Sequence, residues 1–182
     1  MARLSPRRQR GVSLIEVLVA IVIFSVGMLG IAFMQVKGAQ YTKQSGARTV
    51  AVLQARSLAE AMRANPSGVW GVATPDLIPS KKGDLSDSYY VYDGTSEPNP
   101  STCSDAACKQ AKQDLLDWLA QLRAGVAVPV KTDGKTANAA ALGTVTNDTK
   151  TGTLIIASSW NGLIRDASGA SSNDSYSFSY QP

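Results

Sequence analysis

Hydrophobic residues near the N-terminus form one continuous run instead of a periodic stripe. Residues 17–36 contain no charged side chain, and Lys37 is the first charge that follows. A helix of this length extends roughly 30 Å, which matches the hydrocarbon core of a bilayer. We therefore predict an apolar, membrane-spanning helix over residues 12–36.

The pattern becomes periodic beyond Lys37. Small and apolar residues recur near every 3.6 positions, which predicts an amphipathic continuation of the helix over residues 37–65. Asn65-Pro66 is expected to end it, because proline disfavours helical backbone at the residue before it. The stripe consists of Ala47, Val50, Ala51, Ala55, Leu58 and Met62. Such a stripe also occurs in ordinary core-facing helices, so it does not discriminate between functions.

The middle of the chain changes character twice. Residues 66–104 are rich in proline and are predicted to be irregular, with one short strand over residues 88–92 before a turn at Asp93-Gly94. An amphipathic helix is predicted over residues 105–124, stopped by Gly125. Its apolar face is formed by Leu115, Trp118, Leu119 and Leu122.

The C-terminal third is predicted to form an antiparallel sheet within residues 126–181. Candidate strands are residues 126–130, 143–146 and 153–160, with Asn161-Gly162 as a two-residue hairpin turn before residues 163–165. In the last strand the aromatic residues alternate with serines and should cover the long helix; they are Tyr176, Phe178 and Tyr180. The predicted fold class is α+β: one globular domain, residues 66–182, on a long N-terminal helix.

One carboxylate, Glu16, lies at the start of the apolar run. A charged side chain in or beside a bilayer core costs at least about 2.5 kcal/mol on insertion scales. Glu16 should therefore have a partner of opposite charge.

The basic residues are concentrated ahead of this run. Residues 1–11 carry four arginines and no acid, and without them the chain has as many basic as acidic side chains, so the formal charge falls from +4 to zero. The positive-inside rule places this leader in the cytoplasm and the domain outside. The charge of residues 12–182 does not indicate nucleic-acid binding. A local basic patch at Lys81-Lys82 remains an alternative nucleic-acid site.

Cys103 and Cys108 are the two cysteines of the chain. In an exported protein, an even number at short spacing indicates a disulfide, here next to a helix start that Ser104 or Asp105 can cap. The alternative is a redox-active pair, because a thiolate is stabilised at a helix N-terminus.

Candidate catalytic chemistry is sparse. Asp114 and Asp117 share a helix face, but paired carboxylates act as acid and base only where a cleft separates their pKa values, so a solvated face is the simpler interpretation. The chain has no histidine, which removes the usual nucleophile–base pair and most zinc sites. No phosphate-binding loop is found, since Pro129 precedes Gly134-Lys135-Thr136 where a glycine is required. We expect no enzyme activity, no cofactor and no metal.

The N-terminal residues resemble the processing motif of type IV prepilins: a basic leader, Gly11, Val12 and Glu16, followed by the apolar run. The resemblance implies that a prepilin peptidase cuts after Gly11 and methylates the new N-terminus at Val12. It also implies that Glu16 pairs with the terminal amine of a neighbouring subunit, and that residues 12–36 form a filament core. Two alternatives are an uncleaved signal anchor and a secretory signal cleaved near residues 30–32.

Further segments are similar to the PilV group of minor pilins, namely residues 58–66, residues 114–118 and Ser159-Trp160. This resemblance implies a low-copy subunit of the type IV pilus that primes assembly in the inner membrane and lies at or near the pilus tip. The implied partners are other minor pilins, the major pilin, the inner-membrane assembly platform and a large tip adhesin. The implied roles are twitching motility and adhesion.

Other functional classes remain open at the level of sequence. A minor pseudopilin of a type II secretion system shares the N-terminal motif. A pilin that captures DNA or a surface ligand would need an exposed basic or aromatic patch. A membrane-anchored enzyme would need a catalytic constellation, which the residues do not provide.

Overall fold

The computed structural model describes residues 13–78, 85–126, 142–165 and 171–182. The chain divides into two compact units, Met1–Gln40 and Tyr41–Pro182. The first helix, α1, spans Leu14–Ala64 and contributes residues to both units. The predicted α+β class is confirmed: a long N-terminal helix, a middle helix and an antiparallel sheet are all present, consistent with the pilin fold.

α1 ends at Ala64, where the sequence predicts it to end, but a second helix follows at once. The helix α2, Pro66–Trp70, starts with proline in its first turn, where the missing N–H is not needed. Asn65 caps α2, since its Oδ1 accepts a hydrogen bond from the Gly68 N–H at 3.1 Å. Gly71 ends α2 with φ of 65°, a left-handed conformation that favours glycine.

The segment predicted to be irregular, residues 66–104, thus contains regular structure in its described part. Besides α2 it holds two single 3-10 turns, Pro75–Leu77 and Pro100–Thr102. Each begins with a proline, whose preset φ suits the first position of a helical turn. Three of the prolines in this segment, Pro66, Pro75 and Pro100, therefore mark the starts of short helices.

The strand predicted over residues 88–92 is reduced to one isolated bridge. Tyr92 pairs with Val145 through two backbone hydrogen bonds, with N···O distances of 2.9 and 2.8 Å. The turn predicted after it is present: Gly94 has φ of 78°, and Asp93 Oδ1 accepts from the Thr95 N–H at 3.0 Å.

The middle helix, α3, spans Ala106–Gly125. Its predicted apolar face is confirmed as buried, at Leu115, Trp118, Leu119 and Leu122. Gly125 is the last helical residue, and a Cβ there would lie 2.5 Å from Cγ1 of Val50. The glycine therefore allows close packing against α1 instead of supplying a left-handed cap.

Among the described residues, three strands form a sheet in the order β1-β2-β3, with both pairs antiparallel. β1 is Gly143–Asp148, β2 is Thr153–Arg165 and β3 is Ser171–Tyr180. The predicted strands 143–146 and 153–160 lie within β1 and β2, and the aromatic strand lies within β3. Residues 127–130 of the remaining candidate strand, and the glycine–lysine segment 134–136, are outside the described residues.

The hairpin turn predicted at Asn161-Gly162 is wrong. β2 continues through both residues, and Asn161 pairs with Asn173 of β3. The register shifts between Asn161 and Arg165, so the flexible glycine is accommodated as an irregularity inside a long strand. Continued pairing with β3 outweighs the local preference of an Asn-Gly pair for a turn.

The described elements of the second unit share a hydrophobic core. α1 contributes the predicted small-residue stripe, of which Ala51, Ala55, Leu58 and Met62 are buried. The sheet contributes Val145, Leu154, Ile156, Trp160 and Tyr180, and Tyr176 and Phe178 pack against the cluster half-buried. The aromatic face of β3 thus covers the same core as α1, as predicted.

Candidate functional site

The prepilin-type motif leads into the first turn of α1. The N–H of Glu16 donates to the Ser13 carbonyl at 3.0 Å, and the N–H of Val17 donates to the same oxygen at 3.3 Å. Glu16 therefore lies in the first helical turn, where the helix dipole favours negative charge. Gly11, Val12 and the leader lie outside the described residues, so cleavage and methylation there remain predictions.

The apolar part of α1 presents its side chains outward on every side. All large hydrophobic residues between Leu14 and Val36 are exposed, with Leu14 at 82% and Met34 at 74%. α1 is long and apolar enough to cross a membrane, with a mean hydropathy of 2.7 in its most apolar window. An apolar surface of this extent on a water-soluble monomer would aggregate, so it indicates a lipid or protein environment. Together with the prepilin-type motif, it supports membrane anchoring.

The structure joins Cys103 to Cys108 by a disulfide, with the two Cα atoms 5.6 Å apart. Asp105, between them, caps α3: its Oδ1 accepts from the Cys108 N–H at 2.7 Å. Its Oδ2 accepts from the Tyr89 hydroxyl at 3.2 Å. The bridge and the cap therefore hold the same turn, which favours a structural role for the cysteines.

The two carboxylates proposed as a solvated face behave differently. Asp117 is exposed and accepts from the Gln113 amide at 3.0 Å. Asp114 is half-buried, and its Oδ2 accepts from the hydroxyl of Tyr90 at 2.5 Å while its Oδ1 accepts from the Gln110 amide. Asp114 is thus a structural acceptor for a buried tyrosine.

Two residues that meet Asp114 and the start of α3 were not predicted from the sequence, namely Asn65 and Tyr90. Besides capping α2, the Asn65 amide donates to the Ala107 carbonyl at 2.9 Å and to the Tyr90 hydroxyl at 3.3 Å. Burial, and then the hydrogen bond to Asp114, raises the pKa of Tyr90 far above its ordinary value. An asparagine before a proline signalled only the end of α1, and nothing in the local sequence predicted its contact with α3.

Comparison with known proteins assigns the N-terminal region. Residues 6–32 match the family model of the prokaryotic N-terminal methylation motif. No curated protein and no solved structure matches the chain. The matched segment covers Gly11, Val12 and Glu16, and it supports a type IV pilin or pseudopilin family for this chain.

Within the described residues, no cluster of three or more histidine, cysteine, aspartate or glutamate side chains could hold a metal ion.

Proposed function

We propose that this chain is a minor pilin that primes type IV pilus assembly and enters the filament at or near its tip. A prepilin peptidase cuts after Gly11 and methylates Val12. The leader arginines keep the N-terminus in the cytoplasm, and the second unit lies on the periplasmic side until the subunit joins the pilus.

The observation that carries the proposal is the methylation motif, residues 6–32, which extends into the exposed apolar part of α1. A signal anchor needs only the apolar segment. A filament subunit also needs that segment to pack on neighbours once it leaves the lipid, which suits a helix that is apolar all round. The second unit supplies its own core from other parts of the chain.

Glu16 gives this assembly a register. An unpaired carboxylate in an apolar environment costs several kcal/mol, and a partner charge removes much of that cost. The free amine at Val12 of an adjacent subunit is the partner created by the cleavage itself. Docking in any other register leaves Glu16 unpaired, so the pair selects one position.

The test is the N-terminus and mass of the protein from membranes, with and without its cognate prepilin peptidase. An N-methylated Val12 that appears only with the peptidase is expected. An intact Met1, or a cut near Ala32, would show an anchored or secreted domain and overturn the proposal.

A second candidate, a minor pseudopilin of a type II secretion system, is favoured by the same motif. Deletion of the gene separates the two: loss of surface pili with normal protein secretion supports the minor pilin. Normal pili with a secretion defect supports the pseudopilin.

A further inference from the structure

The two cysteines of the disulfide differ in their exposure to solvent. Cys103 is partly exposed and lines an open cavity of about 620 Å³. Cys108 is 9% exposed, belongs to the buried face of α3 and is not among the described residues that line this cavity. A reagent in solution therefore reaches the bridge more readily at Cys103 than at Cys108.

Thiol–disulfide exchange depends on which sulfur can be reached. A thiolate attacks one sulfur of a disulfide and displaces the other, so that a mixed disulfide forms. The three sulfurs lie nearly in line during the displacement, and the thiolate must arrive from the end of the bridge that it attacks. The cavity lies at the Cys103 end. At the Cys108 end, the preceding residue Ala107 and the next turn of α3 at Ala111 are both buried.

Cys108 is also favoured as the leaving group. It is the third residue of α3, and a thiolate near a helix N-terminus is stabilised by the helix dipole. The carboxylate of Asp105 opposes this effect, but both of its oxygens are engaged. Its Oδ1 accepts from the Cys108 N–H at 2.7 Å, and its Oδ2 accepts from the Tyr89 hydroxyl at 3.2 Å. Cys103 precedes α3, so the dipole stabilises its thiolate less.

The cavity also favours one charge on the attacking thiol. Among the described residues that line it, Lys109 is the charged one, and it is exposed. Gln110 and Gln113 line the cavity as well, and their amides donate to Asp114 and Asp117, which do not line it. The charge at the cavity is therefore positive, which favours a thiol that carries a carboxylate or a sulfonate.

We propose that Cys103 is a site of reversible S-thiolation by an anionic thiol, with Cys108 as the leaving thiolate. The incoming thiolate forms a bond to Sγ of Cys103, the bond between Cys103 and Cys108 breaks, and Sγ of Cys108 takes the bonding electron pair and then a proton from water. One disulfide replaces another in this step, so it needs no further oxidant or reductant. The Cys108 thiolate reverses the step when it attacks Cys103 and expels the added thiol.

A second molecule of the thiol completes the reduction of the bridge. It attacks the added sulfur, releases the external disulfide and leaves Cys103 as a thiolate, so two external thiols are oxidised while one protein disulfide is reduced. Opening the bridge leaves the Asp105 cap as the remaining bond that holds the turn before α3. S-thiolation at Cys103 is independent of the proposed function, because it requires only the folded second unit.

The experiment treats the purified full chain in detergent micelles with mercaptoethanesulfonate for short times. N-ethylmaleimide then blocks free thiols rapidly, and mass spectrometry of the peptides maps each modification. We expect the mixed disulfide on Cys103 and the maleimide on Cys108. A mixed disulfide mainly on Cys108, or equal amounts on both cysteines, would overturn the assignment. So would a folded chain that does not react under conditions in which the urea-unfolded chain does.

Lys109→Gln tests the preference for an anionic thiol. We expect this variant to lower the ratio of the rate constants for mercaptoethanesulfonate and for the cationic thiol cysteamine by about two- to fivefold, the effect typical of an exposed charge pair. The intrinsic reactivities of the two thiols cancel when this ratio is compared between variant and wild type. Lys150→Gln is the matched control, since Lys150 is exposed in the turn after β1 and does not line the cavity. An unchanged ratio for Lys109→Gln, or an equal change for Lys150→Gln, would overturn the preference.

Discussion

The hydroxyl of Tyr90 donates a hydrogen bond of 2.5 Å to Oδ2 of Asp114. Tyr90 is fully buried, and Asn65 reaches the same hydroxyl from the end of α1. This junction therefore connects α1, α3 and the segment before the Tyr92 bridge. Hydrophobic contact alone would not specify how these three elements meet, because apolar packing has no directional preference.

Tyr90→Phe should destabilise the protein by about 1.5–3 kcal/mol, because Asp114 loses a hydrogen bond while still half-buried. The measurement is urea unfolding of the full chain in detergent micelles. Tyr41→Phe is the control, since Tyr41 is exposed and its substitution should change stability by less than about 0.5 kcal/mol. Equal effects of the two substitutions would show that the Tyr90–Asp114 bond contributes nothing specific.

The same junction predicts a loss of stability in alkali. Burial raises the pKa of Tyr90, and it also raises the pKa of Tyr92 and Tyr180, from an ordinary value of 10.0. The folded state then holds these protons more tightly than the unfolded state. Their contribution is complete below the unfolded pKa of about 10 and is lost as pH rises above it.

The free energy of unfolding should therefore fall as the pH rises above about 10 and continue to fall toward the raised pKa values of the folded state. The decline should be shallower in Tyr90→Phe, and the absorbance of tyrosinate gives a direct measure of the titration. Parallel declines in the wild type and the variant would contradict a raised pKa at Tyr90.

Sequence patterns predicted those features that depend on neighbours along the chain. The apolar run, the small-residue stripe of α1 and the buried face of α3 all follow from helical periodicity, and each is present. The Asp105 cap and the turn at Gly94 depend on side chains within three residues of the backbone they bind. Local chemistry was sufficient in every one of these cases.

The hairpin error and the missed contact of Tyr90 arose where distant contacts decide. Asn161-Gly162 has a strong local preference for a turn, but pairing of Asn161 with Asn173 keeps it inside β2. Tyr90 lies 24 positions from Asp114, so no periodicity could connect them. Gln44 likewise donates to Asp174 across 130 positions, and only the folded chain brings the two together.

The turn before α3 predicts coupling between a cap and a disulfide. Asp105→Ala should cost about 1 kcal/mol as the loss of an N-cap. Replacing both Cys103 and Cys108 by serine should cost about 2 kcal/mol, because the bridge closes a short loop. Since both changes loosen one turn, the combined variant should lose less than the two separate losses together.

Urea unfolding of the four proteins measures this coupling, and mass spectrometry of the exported protein should show the two cysteines bridged. Strictly additive losses would mean that cap and bridge act independently. Free thiols in a periplasmic preparation would contradict a structural disulfide.

Glu16→Ala separates processing from docking. The substitution leaves Gly11 and Val12 in place, so cleavage and methylation should continue. Co-purification with other pilins should fall at least about tenfold. A tenfold loss corresponds to about 1.4 kcal/mol, and a carboxylate left unpaired in an apolar environment costs more than that. Glu60→Ala is the control, an exposed acid on the same helix that pairs with Arg63. An unchanged yield for Glu16→Ala would remove the docking role from this residue.

Two glycines predict effects of opposite sign on stability. A Cβ at Gly143 would lie 2.2 Å from Cη2 of Trp118, a buried ring that cannot move aside freely, so Gly143→Ala should destabilise by about 1–3 kcal/mol through overpacking. A Cβ at Gly46 would meet nothing within 4 Å, and this residue lies inside α1. Gly46→Ala should therefore stabilise by about 0.5–1 kcal/mol, through the higher helix propensity of alanine.

Thermal unfolding of Gly143→Ala and Gly46→Ala, each compared with the wild type, measures both effects. If Gly143→Ala proved neutral, β1 would not pack against Trp118 as closely as the structure shows, and the contact between sheet and α3 would need revision.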